Sequence, residues 1–309
     1  MRLMLLLSLL ATVGFQTGCN FPRFEHERVD RREFETSPLN SVDISTFNGG
    51  IEVVPHDRPV VEMEITFKGY GETEEAAVAN CEALSCEPTA EEGVLFLKAE
   101  KPAGHWMAHA SFKLKVPANV DIKATTSNGR VTIKDLAANV DVHTSNGTVT
   151  LANVADAKVK TSNGRIEVSN AAGTVNLGTS NGSIKYSGMM VGKENRMTSS
   201  NGTIKLELNP LLATKVESRT SNGKIKCSLD KQLITKESKR ALEAILGSGD
   251  PKGEVTEVYI KTSNGSISID PLQTSDESIE IGSDQVAEAS LDAEVNSEIS
   301  VELESDLGL

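Results

Sequence analysis

Along most of the chain, apolar residues recur at every second position in short runs on either side of the dipeptide Asn-Gly. After it come Val131/Ile133, Val149/Leu151, Ile166/Val168, Ile184/Tyr186, Ile204/Leu206, Ile225/Cys227 and Ile267/Ile269. Before it come Ile122/Ala124/Thr126, Val140/Val142/Thr144, Ala157/Val159/Thr161 and Val175/Leu177/Thr179. Alternation with period two marks a strand with one buried face. Each unit therefore predicts strand, corner, strand, with the corner assigned to Asn-Gly because both residues accept the positive φ of a tight turn.

The unit is itself repeated. Thr-Ser-Asn-Gly occurs in full with its Asn at positions 128, 146, 163, 181, 222 and 264, and looser copies hold Asn48 and Asn201. Successive spacings from Asn128 are 18, 17, 18, 20, 21 and then 42, the last being two units' worth. A fixed period near 20 predicts a solenoid. A hairpin meander would use the same corner, but only a solenoid places equivalent residues in columns. The expected fold is all-β, a single-stack β-solenoid (β-helix) of about 18–21-residue rungs. In that stack Asn48, Asn128, Asn146, Asn163, Asn181, Asn201, Asn222 and Asn264 lie about 4.8 Å apart and form a structural amide ladder.

Two stretches interrupt the period. Between Asn48 and Asn128 the pattern predicts a strand over 60–68, a helix N-capped by Thr73 and running to about Leu84, and strands over 94–99 and 110–116. This detour, 58–118, reads as an α/β N-terminal cap over an end of the stack that would otherwise expose unpaired edges. His105-Trp106-Met107 falls in a loop of that cap. Further on, 235–246 is rich in helix formers and stops at Gly247 and Pro251, which predicts one inserted helix. The solenoid domain is expected to span 40–270, with 254–270 as its final rung.

The first 18 residues stand outside this pattern. Arg2 is their only charge and 3–15 is a short apolar run, as in a secretory signal peptide. The run ends at Gln16-Thr17-Gly18-Cys19, which resembles the lipobox of bacterial lipoproteins; Gln16 stands where that pattern normally has Leu. The resemblance implies lipidation of Cys19, which becomes the mature N-terminus, and with Asn20 next an outer-membrane destination. The expected localisation is exported and lipid-anchored to the bacterial cell envelope, outer membrane or periplasm, with membrane contact through the lipid anchor only. Residues 19–39 are charged, lack apolar period and read as a tether.

Charge separates the other end. From residue 275 the chain holds eleven Asp or Glu and no Lys or Arg, which leaves 33 acids against 31 bases elsewhere. Residues 271–309 therefore read as an acidic, disordered tail, and the near-balanced remainder gives no reason to expect a nucleic-acid partner. Of the three cysteines past Cys19, Cys227 falls on an inward position. Cys81 and Cys86 are compatible with a local disulfide or with Cys81 sharing a helix stripe with Ala77 and Leu84.

Candidate catalytic chemistry is sparse. The five His residues (26, 56, 105, 109 and 143) form no metal-ligand spacing, and every repeat Gly leads into a strand rather than a phosphate-binding helix. A rung of this length has a perimeter of roughly 60 Å at most, which inward Ile, Val and Leu fill. The expectation is no catalytic residue, no metal and no cofactor, so that function lies outside. Outward columns read Arg130, Thr148, Arg165, Ser183, Thr203, Lys224, Ser266 and Thr132, Thr150, Glu167, Lys185, Lys205, Lys226, Ser268. Lys185, Lys205, Lys224 and Lys226 are the candidate ligand strip. Three of them, Lys185, Lys205 and Lys226, are expected in consecutive rungs, where they would receive an anionic glycan, a cell-envelope polymer or the acidic tail. Ordinary solvated β-surface has the same composition.

Repeated Thr-Ser-Asn-Gly-x-Ile/Val-x-Val behind an exported N-terminus and a strand-rich cap resembles the bacterial putative-adhesin family of β-solenoid domains, over about residues 40–270. The resemblance implies a non-catalytic, adhesin-like surface protein and carries over no catalytic residues. Two alternatives remain open: a structural envelope protein assembling through solenoid edges, and a polysaccharide-cleaving β-helix enzyme. The latter needs clustered outward carboxylates, of which the columns hold only Glu52 and Glu167.

Overall fold

The computed structural model describes residues 23–35, 39–104 and 107–273. The leader, Cys19, His105, Trp106 and the acidic tail lie outside the described residues.

The strands that flank each Asn-Gly do not pair with each other. Val140–Thr144 lies between Asp121–Asn128 and Ala157–Thr161, parallel to both, with Val142 opposite Ala124 and Val159. Val149–Val154 likewise lies between Val131–Leu136 and Ile166–Ala171, with Leu151 opposite Ile133 and Val168. Equivalent residues of successive rungs therefore stand in columns, and the chain is a two-sheet β-solenoid. Both sheets turn their Val, Ile and Leu columns inward onto one core, where residues such as Val142, Leu151, Val159 and Leu177 have no exposed area. Each such side chain contributes roughly 1.5–3 kcal/mol of transfer free energy, against the entropy of ordering it.

The corner works by a different device from the one its sequence suggests. Neither Asn nor Gly of the repeat has positive φ. Instead, each Gly backbone lies directly over the carbonyl of the preceding rung's Gly. A Cβ on Gly147, Gly164, Gly182, Gly202 or Gly265 would overlap the carbonyl oxygen of Gly129, Gly147, Gly164, Gly182 or Gly202 respectively. Around this contact run two hydrogen-bonded columns. Buried hydroxyls donate back to the same carbonyls: Thr126 to Gly49 O (3.1 Å), Ser199 to Gly182 O (3.1 Å), Thr262 to Gly202 O (2.9 Å) and Thr220 to Gly265 O (2.8 Å). Each Asn amide donates Nδ2 to Oδ1 of the rung before. The ladder runs Asn128 to Asn48 (2.6 Å), Asn146 to Asn128 (2.8 Å), Asn163 to Asn146 (2.9 Å), Asn181 to Asn163 (2.8 Å) and Asn201 to Asn181 (2.7 Å). Its first member, Asn48, donates to the Ala108 carbonyl at 3.2 Å. A carbonyl only accepts, so Asn48 must present Nδ2 there, and that choice fixes the orientation of every amide above it.

Positive φ appears at a second corner, six residues after Gly, at Asp135 (59°), Asn153 (53°) and Asn170 (52°). These are residue types that tolerate the left-handed region. They form a shorter ladder, Asn153 Nδ2 to Asp135 Oδ1 at 2.5 Å and Asn170 Nδ2 to Asn153 Oδ1 at 3.1 Å.

Stacking order departs from chain order at both ends. The strands Val94–Glu100 and His109–Pro117 of the detour add parallel to Ser41–Asn48 and Ile51–His56, so a later segment precedes the Asn48 rung in space. The helix Glu74–Glu82 starts at Thr73, whose Oγ1 accepts from Ala76 N at 3.2 Å. It seats Ala77 and Cys81 against Gly69 and Gly71, where a Cβ would overlap the helix backbone. Cys81 and Cys86 are both buried free thiols. At the other end, the Asn264 rung does not finish the stack. Asn264 donates to Asn201 (2.7 Å) and Asn222 donates to Asn264 (2.8 Å), so the rung made last in sequence lies between two made earlier. Cys227 belongs to the terminal rung and is accordingly only half-buried.

Two further expectations are corrected. The supposed tether at 19–39 contains the strand Phe24–Glu35, antiparallel to Val60–Gly71, so the folded domain begins before residue 40. Its apolar period is hidden because its partners hold it by charge: Arg31 with Glu64 (2.8 Å), Lys68 with Glu25 (2.7 Å), and Arg28, which donates to Leu84 O (2.7 Å) and lies 4.7 Å from the Phe67 ring centroid. The inserted helix at 235–246 is instead a β-hairpin, Lys231–Ser238 with Ala241–Leu246. Local helix propensity is worth only tenths of a kcal/mol per residue. Here it yields to burial of Leu242, Ala244 and Leu246 and to the open edge of Thr214–Thr220, with which Ala241–Leu246 pairs.

Asn163→Ala removes two ladder bonds and is expected to cost about 1–3 kcal/mol in denaturant melts. Gly164→Ala should cost more, since the new methyl meets backbone rather than a movable side chain; a smaller loss would contradict the close-approach account. Ending the chain at residue 252 should strip hydrogen-exchange protection from 214–220 and 225–227 while rungs up to Asn181 keep theirs.

Candidate binding surface

Filling of the interior leaves the outward columns as the addressable surface. On the sheet that precedes Asn-Gly, the outer face is a charge-alternating row. Lys123 binds Asp43 (2.7 Å), Lys158 binds Asp141 (2.7 Å), and the Arg196 guanidinium lies 4.7 Å from the Tyr259 ring centroid. The hydrogen bond that Lys123 donates to Asp43 raises the Lys123 pKa above its ordinary value. One step along, Ser127, Ser145, Ser162, Ser180, Ser200, Ser263 and Ser221 fall in one register beside the Asn ladder.

The other sheet carries the predicted basic strip, which the fold divides. Lys185 stands opposite Lys205, but Lys205 is opposite Ser268, and only then does Lys226 follow. The expected row of three lysines in consecutive rungs is thus broken by the intercalated rung. Lys185 and Lys205 are moreover tied to one carboxylate, Glu207, at 3.6 and 2.6 Å. The hydrogen bond from Lys205 is the main cause holding Glu207 below the usual carboxylate range, with the charge of Lys185 adding to it. Glu207 was legible in principle, lying two residues after Lys205 and hence on the same face of one strand. Lys224 and Lys226 sit on the terminal strand Ile225–Cys227 or beside it, away from Glu207. The same face, nearer the N-terminal cap, has a shallow depression lined by Arg31, Glu62, Glu64, Lys113 and Lys115. Four of these charges are paired, Arg31 with Glu64 and Lys115 with Glu62 (3.5 Å).

Among the described residues, no three His, Cys, Asp or Glu converge as metal ligands. Burial lowers the pKa of His109 below its ordinary value, with the charge of Lys68 adding to the effect. His143 faces Asp141 at 3.2 Å on the exposed row.

A parallel two-sheet coil of short rungs, stitched at one corner by stacked Gly and Asn, defines a β-solenoid of the toast-rack kind. A family model matches residues 110–270, just over half of the chain, and the chain belongs to that family, Toastrack DUF4097. No curated protein matches it. Solved structures that resemble it include a putative cell adhesion protein from Clostridium sporogenes, with 9% identity, 80% of this chain and 100% of that chain covered, and a TM-score of 0.37. A putative adhesin from Bacteroides fragilis is 14% identical over 78% of this chain and 97% of that chain, at a TM-score of 0.34. A putative lipid binding protein from Parabacteroides distasonis is 11% identical over 78% and 96%, at 0.31. Likeness at this level says nothing of what the present chain binds.

Because Glu207 titrates below its unfolded value of about 4.3, its stabilising effect is complete above that value and is lost as pH falls through the lower folded pKa. The expected size is small, since the pair is open to solvent. Carboxyl NMR titration should place Glu207 below the ordinary glutamate range, and the Tm difference between the parent and Glu207→Gln should shrink as pH falls through that lowered pKa.

Proposed function

We propose that this chain is an exported, lipid-anchored, adhesin-like solenoid that binds an anionic glycan or envelope polymer on its outer face, without catalysis. What supports this reading is the division of the molecule into a filled interior and ordered outer columns, in which hydroxyls, amides and lysines recur at the spacing of the rungs. Repeating contacts at a fixed interval suit a repeating partner. The acyl group on Cys19 would hold the domain at the membrane.

The alternatives fare less well. End-to-end assembly needs regular, uncharged edges, whereas one end closes with the charged strand Phe24–Glu35 and the other with a hairpin whose register shifts twice. Polysaccharide cleavage needs a carboxylate free to exchange a proton. Of the outward carboxylates, Glu167 and Glu207 are paired with Arg165 (3.4 Å) and Lys205, and Glu52 stands in register between Lys113 and Thr132.

Two measurements test the proposal. Cys19→Ser should move the protein from the membrane to the soluble fraction, and unchanged partitioning would reject the anchor. Lys185→Gln with Lys205→Gln should weaken binding to anionic envelope polymer, by more at low salt than at high salt, while Glu207→Gln should strengthen it. Equal binding by all three proteins would make the strip ordinary surface.

A further inference from the structure

The C-terminal end of the stack differs in charge from the rest of the surface. The last strands of the two sheets are Ile225–Cys227 and Lys231–Ser238, each with a hydrogen-bonded neighbour on one side only. The hairpin turn is fastened to the terminal corner, because the Lys239 carbonyl accepts from Ile225 N and the Arg240 carbonyl from Thr220 N, both at 3.0 Å. Residues 219–240 hold seven Lys or Arg and two acids, Asp230 and Glu237. Glu237 is taken by Lys231, and Arg219 by Glu217 at 2.9 Å. Asp270 accepts from Ser228 (3.0 Å) and Ser268 (2.7 Å). Among the described residues, Lys224, Lys226, Lys236, Lys239 and Arg240 then have no ion-pair partner; Glu243 stands across the hairpin from Lys236. On the outermost strand of the hairpin, between Lys231 and Lys236, Leu233 and Ile234 are 57% and 47% exposed.

We propose that this end is a docking face for an anionic bilayer surface. Three kinds of partner would answer to the charge, and the remaining features choose among them. A soluble polyanion would engage the cations and leave the adjacent exposed Leu and Ile in water. An added peptide strand would need a regular edge, and the register of Lys231–Ser238 shifts between Lys231 and Leu233 and again between Ile234 and Lys236. A lipid surface uses both features at once: headgroup charge meets the basic ring, and Leu233 and Ile234 enter the interface. The sequence alone led to the expectation that the acyl chain was the only membrane contact; this face is a second one, at the end of the stack opposite the strand Phe24–Glu35. It does not depend on the glycan reading.

The test uses the full chain carrying Cys19→Ser, so that no acyl group contributes. Co-sedimentation is measured with vesicles of equal parts phosphatidylcholine and phosphatidylglycerol, and with phosphatidylcholine alone. The parent should bind the mixed vesicles, lose binding as salt rises, and leave the neutral ones unbound. Lys224→Gln with Lys226→Gln, and separately Lys239→Gln with Arg240→Gln, should each weaken binding by about tenfold. The pairs lie on different elements, so a pair that fails to fold leaves the other informative. Leu233→Ser with Ile234→Ser should weaken vesicle binding yet leave binding to dextran sulfate unchanged. The proposal is overturned if the parent ignores the mixed vesicles, or if both charge variants bind as the parent does and merely self-associate, which is the behaviour of lysines that only protect an edge. Full vesicle binding by the Leu233/Ile234 variant would overturn it too, in favour of a soluble polyanion.

Discussion

Everything in this stack rests on how closely one backbone can lie over another at a single corner. Where a glycine covers the carbonyl of the glycine before it, any side chain would push successive rungs apart. The consequence reaches far beyond the corner. Thr hydroxyls find those carbonyls, Asn amides come within bonding distance, and both sheets are held in one register. A rung displaced by one residue would turn its apolar column outward, so corner and core specify the same alignment twice.

The period, the rung and the amide ladder could all be read from the chain, because equivalent residues recur and chemistry in a column is legible as repetition. The reason for the glycine could not. Asn-Gly is so strong a turn signal that positive φ was the natural expectation, while positive φ in the rungs falls at positions such as Asp135, Asn153 and Asn170, which no repeated phrase announces. Stacking order was hidden for a related cause. A parallel rung offers the same contacts to whichever copy lies beside it, so the sequences around Asn201, Asn222 and Asn264 do not say which neighbours which. The strand at 24–35 escaped notice because charge, not apolar alternation, fixes its register.

The candidate lysine strip shows the same limit. Residue type and column were read correctly for Lys185, Lys205 and Lys226, yet the electrostatics depended on two facts outside the column, the acid two residues on from Lys205 and the rung slipped in before Lys226. Local charge density is set by spatial neighbours, and a one-dimensional count sees only half of them. Paired cations in the middle of the sheet and unpaired ones at its end come from lysines in equivalent sequence positions.

The intercalated rung also bears on how such a chain acquires its shape as it is made. An ordinary solenoid can grow as a zipper, each turn laid on the last in the order of its emergence. Here the segment around Asn222 emerges before the one that must lie beneath it, so a nascent molecule must hold a vacancy one strand wide and close it from the side. The rung around Asn264, made after every other described rung, is therefore a keystone rather than a final course, and the C-terminal turns come together only once it is available.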